Sequence, residues 1–136
     1  MTEKIIKGNI DSFGYIYIIT SVLNAENGIR IDGIKTIIDT GSFSSFIQKE
    51  IAEELNLKFY KENIYKNPIG GQITTNAYLS SLIFGTIQYN NIIVNEFTSD
   101  DYPCGILIGM DFLKNCELTF SGKNKTFELV LPNTFG

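Results

Sequence analysis

The sequence of 136 residues has no histidine, no tryptophan, two cysteines and three prolines, and Arg30 is its single arginine. Without imidazole there is no Ser-His-Asp triad, no Cys-His pair and no histidine-based zinc site. Cys104 and Cys116 do not form a metal-type pair, so buried, reduced thiols are expected. No apolar run approaches the roughly 20 residues that cross a bilayer. Met1 to Lys7 lacks the apolar centre of a signal peptide. Basic runs are missing as well: 11 basic and 15 acidic residues are scattered along the chain, for a net charge of −4. That balance argues against nucleic acid or an anionic membrane as partner. The expectation is a cytoplasmic protein whose chemistry uses no metal and no other cofactor.

What is present is enough for a core. Apolar residues make up 43% of the chain, with ten Phe and seven Tyr, and the length fits a single domain over residues 1–136. Isoleucine far outnumbers valine, and β-branched or aromatic residues fill the short apolar runs, so strands should outnumber helices. Tyr15 to Leu23, Ile29 to Ile31 and Ile34 to Ile38 read as a meander, with Asn27-Gly28 and Asp32-Gly33 as turns. Phe46, Ile47, Ile51, Leu55 and Leu57 make one helical stripe that Ser44 or Ser45 could cap. Strands are expected at Tyr78 to Phe84, Ile87 to Tyr89, Ile92 to Phe97 and Cys104 to Ile108, then a closing hairpin around Gly122. Ile29 to Ile47 and Ser81 to Leu113 echo one another as strand, turn, strand, glycine loop and helix start.

The chemically informative segment is Ile37-Ile38-Asp39-Thr40-Gly41-Ser42. An acid directly after a buried strand sits at the edge of the core. Gly41 permits a tight turn there, and amides and hydroxyls of Thr40 and Ser42 can orient the carboxylate. Taken alone, this reads first as a turn aspartate that braces its own loop. Three other segments accompany it: the hairpin Ile29 to Asp39, the glycine-rich Pro68-Ile69-Gly70-Gly71, and Gly105-Ile106-Leu107-Ile108-Gly109-Met110-Asp111-Phe112-Leu113. The ordered set, over about residues 29 to 131, resembles the single-lobed, retropepsin-like branch of the aspartic peptidases. Two departures stand out: residues 43–57 look helical where the viral relatives have little helix, and the flap-like segment has one Gly-Gly pair.

The resemblance implies a mostly β, closed-barrel acid-protease fold with one or two short helices, acting as an endopeptidase on a polypeptide. It implies Asp39 as the catalytic carboxylate, with Thr40, Gly41 and Ser42 as catalytic-loop support. Ile69, Gly70 and Gly71 would form the flap over the substrate, and Leu107 would line a subsite. The mechanism needs two carboxylates, so a chain with one such Asp would work as a homodimer around a two-fold axis. The paired acids would share a proton and activate water for attack on the peptide carbonyl. Thr40 would tie the two loops, and the strands around Ile5-Ile6 and Thr126 to Leu131 are candidates for an intersubunit sheet. Ser42 is expected to donate to Asp39, giving a more acidic working range than a Ser42→Ala variant would have.

Other classes fit the same residues. One is a non-catalytic dimerisation or peptide-binding module on the same fold; another is an unrelated β-barrel around a small-ligand cavity. Gly70-Gly71 reads equally as an ordinary exposed hairpin tip. Asp100-Asp101 reads as a solvated pair, Asp111 as a helix cap, and Leu107 equally as core.

Overall fold

Branched and aromatic residues hold the backbone extended along most of the chain. The computed structural model describes residues 4–66, 70–98 and 103–133. These residues form β1 (Lys4–Ile10), β2 (Ile16–Leu23), β3 (Arg30–Ile38), β4 (Phe46–Gln48), α1 (Lys49–Leu55), β5 (Lys58–Lys66) and β6 (Gln72–Phe84). There follow β7 (Ile87–Phe97), β8 (Ile106–Ile108), α2 (Met110–Leu113), β9 (Glu117–Ser121) and β10 (Thr126–Leu131). The order β6-β7-β4-β8-β3-β2 closes on itself, because β2 also pairs with β6 through Ser21↔Ile83, Val22↔Leu82 and Leu23↔Ser81. The result is the expected closed barrel, with six strands.

Closure removes the sheet edges that an open six-stranded sheet would expose. It encloses a core in which Val22, Ile47, Leu55, Ile106, Ile108, Phe112 and Leu129 are all fully buried. Phe84 stacks on Phe112 at 5.2 Å between ring centroids, and Tyr89 meets Phe112 edge-on. Gly105 is a close approach: an added Cβ would lie 2.6 Å from the Ile34 side chain.

The echo in the sequence becomes a local two-fold relation. Each half is a hairpin followed by a loop, a three-residue strand and a helix. The second hairpin strand of each half pairs parallel with the short strand of the other: β3 with β8 and β7 with β4. The short strands pair antiparallel at the centre, Phe46↔Leu107 and Ile47↔Ile106.

The structure corrects several expectations. Arg30–Ile38 is one strand, with a register shift in place of the turn expected at Asp32-Gly33, and Ile87–Phe97 is one strand that runs through Asn90-Asn91. Phe46 to Gln48 begin as a strand, and the helix is confined to Lys49–Leu55, so neither Ser44 nor Ser45 caps it. Sheet partners on both sides outweigh one more helical turn. The terminal strands also differ. β1 pairs with β10 within the chain, and β9 takes the other edge of β10, so Thr126 to Leu131 has no edge left for a partner. No helix among the described residues is long and apolar enough to cross a membrane.

Candidate active site

Asp39 follows the last residue of β3, where Ile37 and Ile38 are locked into the core. Parallel pairing of Ile38 with Ile108 continues one residue further: the Asp39 N–H donates to the Ile108 carbonyl at 2.9 Å. The chain then turns, and the Gly41 N–H donates to Asp39 Oδ1 at 2.8 Å. The carboxylate is thus half-buried and oriented by backbone, while Thr40 and Gly41 are exposed. Ser42 has a different role from the expected one: its hydroxyl donates to the Ser44 carbonyl at 2.7 Å. An Oγ–H has one proton, so this bond takes the donor that the sequence reading aimed at Asp39.

The segment after the turn is laced to the second glycine motif. Met110 and Asp111 donate their N–H groups to the carbonyls of Ser42 and Phe43 at 2.7 and 2.9 Å. The Asp111 carboxylate accepts from Ser45 Oγ at 2.7 Å and Ser45 N–H at 3.0 Å. Ser45 Oγ in turn accepts from the Gly109 N–H at 3.0 Å. Gly109 has to be glycine for want of room: a Cβ would lie 2.3 Å from the Ser44 carbonyl oxygen. Asp111 is therefore a clamp on the loop. The cap position of α2 belongs to Gly109, which makes no side-chain bond.

Two clefts flank this scaffold. A smaller one, about 190 Å³, is lined by Gly14, Tyr15, Ile16, Ile37, Ile38, Asp39 and Leu107. Leu107 is 2% exposed and also packs with Ile37, Phe97 and Cys104, so it serves core and cleft wall together. A larger cleft, about 670 Å³, lies under the β5–β6 hairpin, among Phe46, Tyr65, Ile73, Thr75 and Phe97. Of the flap residues, Gly70 and Gly71 sit at the hairpin tip with φ of 122° and 78°, values that favour glycine. Ile69 lies outside the described residues, as do Asp100 and Asp101.

Sequence reasoning missed the residues that join hairpin to turn. Tyr65 donates its hydroxyl to Ser44 Oγ at 3.2 Å, and Asn63 donates to Asn95 Oδ1 at 2.7 Å. Asn95, only 2% exposed, donates on to the Ser45 carbonyl. An Asn directly after the apolar Ile92-Ile93-Val94 of a strand was the available signal, since a buried amide needs partners. Among the described residues no group of three His, Cys, Asp or Glu side chains could hold a metal ion.

A family model described as "gag-polyprotein putative aspartyl protease" matches residues 27–115. Curated proteins returned no match. Among solved structures, a retropepsin-like aspartic protease from Rickettsia conorii is similar in fold, with a TM-score of 0.63 and 22% sequence identity. The alignment covers 96% of this chain and 95% of that one. A family match over well more than half the sequence, on a barrel of that fold, makes this chain a member of the retropepsin-like aspartic proteases.

Proposed function

We propose that the chain is one protomer of a homodimeric endopeptidase, a single domain over residues 1–136, in which the Asp39 carboxylates of two copies activate water. The supporting observation is the placement of Asp39: half-buried at the rim of a cleft, anchored through its own N–H and oriented by the Gly41 N–H. One carboxylate in this setting can hold water but cannot act as acid and base at once. A second copy related by a two-fold axis supplies the missing acid.

Two carboxylates that close do not both ionise, so the pair holds one proton between them. The ionised member takes a proton from water, whose oxygen attacks the peptide carbonyl. The protonated member donates to the carbonyl oxygen, giving a tetrahedral intermediate. Collapse of that intermediate returns the proton to the amine that leaves. Thr40, exposed beside Asp39, meets its counterpart in the second copy in this reading, while Gly41 and Ser42 keep the turn in shape. The polypeptide lies extended under the β5–β6 hairpin, with Gly70 and Gly71 above it, and its side chains enter the two clefts. Leu107 lines the one that holds Asp39.

The test is cleavage of a diverse peptide library from acid to neutral pH, wild type against Asp39→Asn. Asn keeps the size of the side chain but cannot take and return a proton. Cuts by the wild type that fall at least about 100-fold in the variant are expected. A dimer that makes no cuts would leave a peptide-binding module instead.

A further inference from the structure

The two most exposed large apolar side chains among the described residues are Phe43, at 90%, and Phe13, at 81%. They are not scattered. Phe43 stands four residues after Asp39, and Phe13 precedes Gly14, Tyr15 and Ile16, which line the cleft that holds Asp39. Both rings are carried on pinned backbone. The Phe43 carbonyl accepts from Asp111 N–H at 2.9 Å, and the Phe13 N–H donates to Asp11 Oδ1 at 2.9 Å. An apolar ring held out to water on a fixed loop contributes nothing to the core of its own chain. Exposed apolar rings on fixed backbone are frequent anchors of protein contacts.

We infer that Phe13 and Phe43 anchor the contact that brings a second copy of this chain to Asp39, each ring meeting the partner's other ring across the two-fold axis. This rests on the dimeric reading above and says which surface makes the dimer. The occupant is a second copy because the site is one carboxylate short, and the two rings stand on the loop that follows Asp39 and on the turn that walls its cleft. In a two-fold contact, residue i meets j and j meets i, so two rings per chain provide two equivalent aromatic contacts. Met110, 37% exposed and bonded through its N–H to the Ser42 carbonyl, extends the apolar surface beside Phe43. The terminal strands offer less. β10 is paired on both edges, and β1 pairs with β2 only at Asn9 and Ile10, leaving the Lys4–Gly8 edge as the alternative surface.

Sedimentation across a dilution series separates the two surfaces. Phe43→Ser and Phe13→Ser should each raise the dimer dissociation constant at least about tenfold, since each change removes two symmetric contacts. Ile5→Lys, on the β1 edge, should leave it unchanged. Phe43→Trp should keep the dimer and, in a chain without other tryptophan, shift its emission to the blue as protein concentration rises. Thermal melts of the serine variants at concentrations where the wild type is monomeric should match it, because in the single chain both rings are in water. Unchanged dimer mass in both serine variants, dissociation by Ile5→Lys, or a wild type that is monomeric at every concentration would each overturn the inference. A dimer that depends on Phe43 yet cleaves nothing keeps the surface and removes the peptidase.

Discussion

At the scale of single residues, Ser42 and Ser45 divide what the sequence could not. Ser42 Oγ gives its proton to the Ser44 carbonyl, not to Asp39. The pH–rate profiles of the wild type and Ser42→Ala should therefore superimpose, with stability lowered by about 1 kcal/mol. A profile displaced toward neutral pH in the variant would show that the hydroxyl reaches Asp39 after all. Ser45 is fully buried and stands between Gly109 N–H and the Asp111 carboxylate. Ser45→Ala leaves a buried N–H unpaired and an acid short of a donor, which should cost about 2–3 kcal/mol, read as a lower urea midpoint. Asp39 itself was legible because it follows Ile37-Ile38 and precedes Gly41, a purely local pattern. Which serine touches what was not, since Ser45 meets its partners across 64 and 66 residues of chain.

At the scale of elements, the turn between β1 and β2 is a wall of the Asp39 cleft, and one ion pair holds it. The Asp11 carboxylate accepts from the Phe13 and Tyr15 N–H groups, and Lys35 Nζ reaches it from β3 at 2.8 Å. The Lys35 hydrogen bond, helped by those two amides, holds the Asp11 carboxyl below its ordinary value despite partial desolvation. A depressed folded-state value means stabilisation that is present above the unfolded pKa and lost as pH falls through the folded one. Asp11→Asn should accordingly lower the denaturation midpoint at neutral pH, with the gap to wild type closing in strong acid. A gap of constant size from neutral to strong acid would count against this role. Among the elements, β2 and the closing hairpin were readable from alternation and turn residues, whereas the turn expected at Asp32-Gly33 is only a register shift within continuous β3. β4 was hidden in a helical stripe, because Phe46 and Ile47 also fit the start of one. β5 was not singled out, because Lys58, Lys61 and Glu62 break up its apolar pattern, as charges on an edge strand often do.

At the scale of the whole molecule, barrel closure decides how the two thiols behave. Cys104 and Cys116 are both free, and burial pushes each thiol from 9.0 up to about 11. About a hundredfold less thiolate at neutral pH follows from that rise. In the native protein both should react with a disulfide reagent such as Ellman's roughly 100-fold more slowly than an exposed cysteine. Reaction should speed up together with barrel unfolding in urea. Full labelling of either thiol at the free-cysteine rate before that transition would show that the barrel opens locally. Cys104 packs against Ile37 and Leu107, the residues beneath Asp39, so its labelling also reports on the floor of the site.

The sequence by itself determined the class of chemistry and the class of fold. The lack of histidine, the acidic turn at a strand end and the ordered glycine motifs are local features, legible without knowing what lies opposite. Only the tertiary structure decided which strands close the barrel and where the hydroxyl of Ser42 points. It likewise decided that Asn95 and Ser45 carry the hairpin's tether, and that β10 spends both edges inside its own chain. Those outcomes depend on pairings between residues far apart in sequence. Alternation shows which face a side chain takes but not which neighbour it meets there.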